Sequence, residues 1–292
     1  VITKQRLKDS STNWAQGGIA GILDKTDIGA KESHIEDTLK SGDGLCNESM
    51  VREVIEGAAE CIFELVNIGV QFEKNQQGEF KLAKEGGHTE RRILHAKDAT
   101  GREIERALSE AAKNHNNISL MRNTLAIDLI QRDYGNPEQG VCGVWCLDQK
   151  SGEVITVKAD SVIIATGGVG QLWTKTTNPG VATGDGVAMA YRCRAAVKDM
   201  AFIQFHPTAL TVKNDRPFLI TEALRGEGGV ILDKQGLVMW QKDCHTAKEL
   251  GLEAPEPSNY SFTLEFSTLG SMATRDIVAR AIDDNLKKTG EQ

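Results

Sequence analysis

The chain has 292 residues, 40% hydrophobic and 26% charged, with 29 Gly against 6 Pro. This is the composition of a folded α/β protein with one large or two ordinary cores, and it excludes a disordered or fibrous chain. A formal net charge of -7 argues against nonspecific binding to nucleic acid or an anionic membrane, while leaving room for a local basic pocket.

Val1-Ile2-Thr3-Lys4 reads as the end of a strand, and both termini read as cuts through a longer chain. No signal peptide is visible. A Gly-rich turn, Gln16 to Gly21, follows the polar run Asp9 to Asn13. Ser33 with Glu36 forms a candidate capping box for a short helix ending near Ser41. The apolar spacing of Met50, Val51, Val54, Ile55, Ala58, Cys61, Ile62, Leu65 and Val66 predicts a long helix, with Asn47 as N-cap and Gly69 as stop. A charged loop runs to His95, and Thr100 with Glu103 suggests a second capping box.

Four β-like stretches come next: 118–130, 141–147, 154–157 and 161–165. The turns between them carry the Gly, Asn and Pro of hairpins. The most apolar run, Val162 to Ala165, is far below a membrane span and reads as a buried strand. It leads into Thr166-Gly167-Gly168, and Gly184-Asp185-Gly186 opens a helix over 187–196. After Asp199 long helices are expected to be fewer, and residues 241–270 read as irregular and polar. A domain boundary is placed at 198/199. Six scattered cysteines lack ligand-like pairing, so no metal site is expected; Cys142 and Cys146 read as core thiols, and a reducing cytoplasm fits. His34, His115 and His245 are expected on exposed faces or loops.

Gly-rich turns at strand-to-helix junctions let backbone N–H groups approach an anionic group closely. Three of them, around Gly17, Gly167 and Gly184, point to a dinucleotide site, although Gly-x-Gly-x-x-Gly after a strand is absent. Six blocks then share one resemblance. They are 11–20 (Ser-Thr-Asn-Trp-Ala-Gln-Gly-Gly-Ile-Ala), 165–168 (Ala-Thr-Gly-Gly), 183–186 (Thr-Gly-Asp-Gly), 204–208 (Gln-Phe-His-Pro-Thr), 221–228 (Thr-Glu-Ala-Leu-Arg-Gly-Glu-Gly) and 275–280 (Arg-Asp-Ile-Val-Ala-Arg). In this order they resemble the flavoprotein family of succinate dehydrogenases, fumarate reductases and L-aspartate oxidases.

The resemblance implies an α/β fold: an incomplete Rossmann-like FAD-binding domain with a β-meander over 1–198, and an incomplete α+β capping domain over 199–292. It implies FAD contacts at Lys4, Ser11, Thr12, Asn13, Trp14, Ala15, Gln16, Gly17, Gly18 and Asp185. It makes Arg275 the acid/base group, Glu222 part of its proton relay, and Glu85, His206, Thr208 and Thr221 substrate contacts. The residue types suit a dicarboxylate such as L-aspartate or fumarate, which cationic and neutral donors would hold.

Two positions choose within the family. Members that attach FAD covalently carry a His where this chain has Ser11, so noncovalent FAD is expected. L-Aspartate oxidases carry Glu before a Gly-Gly pair, as in Glu85-Gly86-Gly87-His88, where the dehydrogenases carry an aromatic residue. A carboxylate there suits an ammonium-bearing substrate. The resemblance therefore implies oxidation of L-aspartate to iminoaspartate, with electrons passed to oxygen or fumarate, as the first step of NAD biosynthesis. A functional link to quinolinate synthase follows, with no nucleic-acid or membrane partner. A fumarate reductase or succinate dehydrogenase flavoprotein subunit is the alternative, and an inactive truncated homologue a further one. Residues 241–270 look like an insertion, Ala273-Thr274 stands in place of the usual Ala-Pro, and the chain alone is expected to be inactive.

Overall fold

The computed structural model describes residues 1–210 and 217–290. Its elements in chain order are β1 (Ile2–Thr3), β2 (Ile19–Ala20), α1 (Ile28–Ser41), α2 (Glu48–Ile68), β3 (Leu82–Ala83), β4 (Ile93–Leu94) and α3 (Thr100–Asn114). The meander follows as β5 (Met121–Arg122), β6 (Thr124–Gln131), β7 (Val141–Asp148) and β8 (Val154–Lys158). Beyond it lie α4 (Asp185–Arg192), β9 (Ala209–Leu210), β10 (Phe218–Leu219), α5 (Ala223–Gly226), α6 (Lys234–Glu249) and α7 (Arg275–Thr289). No helix among the described residues is long and apolar enough to cross a membrane.

The local signals around α2 act as expected. Asn47 accepts the Met50 N–H at the helix start, and Gly69 closes it in the left-handed region at φ 112°. Only Ile55, Ala59 and Ile62 become buried, however, and Met50 and Val54 stay exposed. Ile62 joins Val70, Phe72, Leu94 and Ala107 in a core that ties α2, α3 and β4 together. Each large apolar side chain buried there stabilises the fold by about 1.5–3 kcal/mol.

Both expected capping boxes move. Helix α1 starts at Asp27, whose side chain accepts the Ala30 N–H, so Ser33 lies inside the helix. Its hydroxyl instead meets Thr89 and Arg92. Thr100 is the first residue of α3, and its hydroxyl accepts the Ala96 N–H; Glu103 accepts the Gln71 N–H.

The meander β6-β7-β8 is antiparallel throughout. The expected stretch over 118–130 is split, because Asn123 adopts φ 55° between β5 and β6. β5 pairs in parallel with β1, which brings Lys4 to the sheet end. The buried strand expected over 161–165 does not form: no strand is assigned there, and Ile163 is 90% exposed. Strand structure needs a neighbouring backbone to bond, which apolar sequence by itself does not supply.

The expectation for the last third also needs correcting. Helix α4 ends at Arg192, and α6 and α7 are both long, with α6 running through 241–249. The following 3-10 turns are pinned by Trp240 Nε1 donating to the Pro255 carbonyl and by Tyr260 donating to Asp243. Ser261, Thr263 and Ser271 form a buried hydroxyl cluster, with the Ser261 hydroxyl donating to the Ile231 carbonyl.

One close approach locks the 11–18 loop. A Cβ at Gly101 would lie 1.9 Å from the Thr12 carbonyl oxygen and 2.7 Å from Ala15 Cβ, and the Gly101 N–H donates to the Ala15 carbonyl at 3.0 Å. Gly101→Ala is therefore expected to destabilise the protein by about 1–3 kcal/mol, the usual scale for overpacking. Urea unfolding read by circular dichroism checks this, and an unchanged midpoint would contradict the close contact.

Candidate active site

Four segments distant in sequence converge on a cleft of about 200 Å³ lined by Gln16, Gly17, Gly18, Glu85, His95 and Thr221, among others. A larger open groove of about 1210 Å³ runs along α3 past Asn13 and Trp14. It mixes Arg6, Arg102 and Arg106 with Glu103 and Glu110, and His206, Glu222 and Arg275 do not line it. Those three residues do not line the smaller cleft either, but it carries Glu85 together with Thr221 and Ala223, the two neighbours of Glu222.

Glu222 immediately precedes α5 and is 7% exposed. Its Oε1 accepts from Arg225 Nη2 at 2.8 Å, and its Oε2 accepts from Arg275 Nε at 2.7 Å. Arg275, the first residue of α7, also donates from Nη1 to Gln204 Oε1 at 3.0 Å. A carboxylate thus sits between two guanidiniums, with the outer one partly exposed toward Gln204. Arg225 is 5% exposed and donates its remaining Nη1 to the Ser271 carbonyl, while its buried Nε has no hydrogen-bond partner among the described residues. Burial pulls its pKa below the ordinary arginine value.

Glu85 approaches from the other side. Its Oε1 accepts the Gly18 N–H at 3.4 Å, and a Cβ on Gly17 would sit 3.2 Å from the same oxygen. A Cβ on Gly86 would lie 2.7 Å from Glu222 Oε1, so the Glu85-Gly86 backbone rides directly on the buried carboxylate. Burial raises the pKa of Glu85, and repulsion from Glu222 adds to this. The Gly18 N–H and the Arg275 charge act in the opposite sense.

His206 has its pKa lowered to about 4, chiefly by burial and then by Arg275. Its Nδ1 accepts the Thr208 backbone N–H at 3.3 Å, which places the proton of the neutral ring on Nε2. Thr208 donates its hydroxyl to the Ile220 carbonyl, and Thr221 Oγ1 accepts the Ala223 N–H. The ring is thus a neutral N–H donor near neutral pH.

The residues expected to hold the cofactor are divided: Gln16, Gly17 and Gly18 line the smaller cleft, Asn13 and Trp14 the larger groove, and Lys4 meets Asp185. Lys4 Nζ donates to Asp185 Oδ2 at 2.5 Å and to Thr183 Oγ1 at 2.6 Å, across about 180 residues of sequence. Burial raises the Asp185 pKa, but hydrogen bonds from Lys4 and Thr183 outweigh it and leave the carboxyl below its ordinary value. Asp185 opens α4 behind Gly184, which adopts φ 78°. In the 11–18 loop, Ser11 and Thr12 carbonyls close a turn on Trp14 and Ala15, and the Asn13 N–H donates to Ser10 Oγ. Gln16 Nε2 donates to the Leu219 carbonyl, while the buried Gln16 Oε1 has no partner among the described residues.

Arg225 and Gln204 lay inside the quoted blocks but received no role from sequence. The signal for Arg225 was the Glu222/Arg225 spacing of three, which puts both on one helical face. His34 was placed on an exposed face and is instead buried at 7% exposure, its ring 5.7 Å from that of His88. It lies on the inner side of α1, where desolvation lowers its pKa to about 4.

The chain is similar to known proteins over its whole length. The chain is 40% identical over 301 residues to the chloroplastic L-aspartate oxidase of Oryza sativa subsp. japonica, covering 100% of this chain and 43% of that protein. It is 41% identical over 298 residues to the L-aspartate oxidase of Pseudomonas aeruginosa, covering 99% of this chain and 51% of that protein. It thus spans about half the length of these relatives. Among solved structures, the E. coli quinol fumarate reductase FrdA superposes with a TM-score of 0.79 at 27% identity, covering 98% of this chain and 46% of that one. Mycobacterium smegmatis Sdh1 gives 0.73 at 28% identity, covering 98% and 45%. The family described as FAD binding domain matches residues 1–292. With that match over its whole length, on the fold of the succinate dehydrogenase and fumarate reductase flavoproteins, the chain belongs to the FAD-binding-domain family of flavoprotein oxidoreductases and takes FAD as its cofactor.

Proposed function

We propose that the intact protein oxidises L-aspartate to iminoaspartate, passing electrons to oxygen or fumarate, and that it holds FAD noncovalently. The observation that carries this reading is the Glu85 carboxylate, placed beside Gly17 and Gly18 and against the Glu222–Arg275 pair. A substrate that brings both carboxylates and an ammonium matches that mixture of charges. Succinate and fumarate bring no cation for Glu85 to meet.

The residues present fit the cofactor. Gln16 Oε1 is a buried acceptor without a partner among the described residues, suited to a ring N–H. Gly167 and Gly184, at φ 72° and 78°, shape turns in a left-handed conformation that other residues adopt only with strain. Lys4, the 11–18 loop and Asp185 would hold FAD, which supplies a two-electron acceptor when bound. Arg275 and the His206 Nε2–H would bind substrate carboxylates, with Thr208 and Thr221 nearby, and Glu85 would hold the ammonium. Arg275 would handle the proton at the reacting carbon, and Glu222 and Arg225 would continue its hydrogen-bonded chain inward. A guanidinium is a poor base because its pKa is above about 12. Electrostatic stabilisation and carboxylate binding therefore form a large part of its work.

This places the protein at the first step of NAD biosynthesis, with quinolinate synthase as the expected consumer of its product. A cytoplasmic, reducing setting belongs to the same reading, supported by six free cysteines, while the plant relatives are named chloroplastic. The fold likeness to fumarate reductase keeps dicarboxylate reduction as a second reading.

The test is turnover of L-aspartate by the purified intact protein with oxygen or fumarate as acceptor, followed by denaturing electrophoresis. Flavin is expected to leave the protein band, since Ser11 carries no imidazole for a covalent link. Flavin fluorescence on the band would refute noncovalent attachment. Succinate turnover without aspartate turnover would shift the assignment to the second reading.

A further inference from the structure

A second polar cluster lies behind the Glu85 turn and holds the most deeply buried charge among the described residues. Arg92 is 1% exposed and pairs with Asp37 of α1 at 3.0 Å. Its Nη2 also donates to Ser33 Oγ at 3.2 Å and to Thr89 Oγ1 at 3.1 Å. Asp37 Oδ2 accepts both the Thr89 N–H at 2.8 Å and the Thr89 hydroxyl at 2.9 Å. Burial raises the Asp37 pKa, but the Thr89 bonds and the Arg92 charge outweigh it and hold the carboxyl below its ordinary value.

A buried ion pair is weak evidence for net stability, because desolvating both ions offsets their attraction. Among the described residues Arg92 Nε and Nη1 find no hydrogen-bond partner, so the cluster is not satisfied in full there. Its visible effect is geometric. Thr89 closes the turn that carries Glu85: the His88 N–H donates to the Glu85 carbonyl, Gly87 adopts φ 82°, and Lys84 Nζ donates to the Thr89 carbonyl. The Arg92 backbone is itself fixed, donating to the Ala83 carbonyl and accepting from the Gly21 N–H. At its far end the same turn presses Gly86 onto Glu222. An error of a few tenths of an ångström there would move the Glu85 carboxylate relative to Arg275.

We propose that Asp37, Arg92 and Thr89 are positioning residues, which hold the Glu85 turn against Glu222 and so set the preference for an ammonium-bearing dicarboxylate over one without an ammonium. This rests on the reading of Glu85 as the ammonium partner. The cluster touches no substrate and acts through the backbone of residues 85–89.

The test reads the ratio of kcat/KM for L-aspartate to that for fumarate in the intact flavoprotein. Thr89→Val removes one hydroxyl from an exposed turn residue and keeps the side-chain shape, so folding is expected to survive. The ratio should fall by roughly three- to tenfold, less than the full loss of the hydroxyl's charge-assisted bonds because the Thr89 N–H still donates to Asp37, with flavin content unchanged. Thr89→Ser should restore it. Asp37→Asn should lower the ratio further. With Glu85→Gln already in place, Thr89→Val should leave the ratio where it is, because the charge being positioned has gone. If Glu85→Gln shifts the ratio and Thr89→Val does not, the proposal is overturned while the reading of Glu85 stands. The same holds if Thr89→Val shifts the ratio equally in both backgrounds. If Glu85→Gln leaves the ratio unchanged, both fall together.

Discussion

Glu85→Gln in the intact protein is expected to lower kcat/KM for L-aspartate by roughly ten- to a hundredfold, while fumarate is handled as well as before or better. The amide keeps the shape of the side chain and removes its charge. A charge-assisted hydrogen bond to the substrate ammonium is worth about 1.5–3 kcal/mol, and about 1.4 kcal/mol is a factor of ten. Fumarate has no ammonium, and for it the variant removes a repulsive carboxylate. Because general damage would lower both activities together, steady-state kinetics on both substrates are decisive, and equal losses would make Glu85 structural. The pH profile adds an independent reading. Burial raises the Glu85 pKa, and only the ionised form attracts the ammonium. Aspartate kcat/KM should therefore decline as pH falls through that raised pKa, and Glu85→Gln should lack this limb. His206, held near 4 by burial, stays neutral across the same range and should not produce it.

Glu222→Ala is expected to have the largest effect on stability, about 3–5 kcal/mol, which is typical when one partner of a buried ion pair is removed. Among the described residues, Glu222 is the only carboxylate in contact with the Arg225 guanidinium, which is buried at 5% exposure and cannot lose its proton near neutral pH. Arg275, partly exposed and bonded also to Gln204, can turn to solvent and suffers less. Glu222→Gln keeps an acceptor for one arginine and should cost less stability. It should still reduce turnover by roughly 10²–10⁴, the range for loss of positioned proton transfer. Arg275→Leu and His206→Ala should likewise reduce turnover far more than flavin content. Urea melts of the flavin-loaded protein separate the two effects. A Glu222→Ala protein with unchanged midpoint and activity would contradict the inward chain from Arg275.

What the amino-acid sequence determined unaided was local or chemical. The Asn47 cap and Gly69 stop define α2 because both act on backbone groups a few residues away. Gly and Asn turns delimit the β6-β7-β8 meander for the same reason. The blocks around Gly17, Asp185, His206, Glu222 and Arg275 announced an FAD-binding flavoprotein through residue types in order, and the family match bears that out. Tertiary structure decided everything that depends on partners far along the chain. Ser33 looked like a cap but lies inside α1, because Asp27 offered the start and Thr89 and Arg92 claimed its hydroxyl. Val162 to Ala165 looked like a buried strand, yet apolar sequence cannot supply the neighbouring backbone that a strand must bond. His34 looked exposed until α1 turned it toward His88. The meeting of Lys4 with Asp185, of Gly86 with Glu222, and of Arg275 with the same carboxylate has no periodic or capping signature. Caps, turns and periodicity are written in neighbouring residues, whereas ion pairs and burial arise only when folding brings distant segments together.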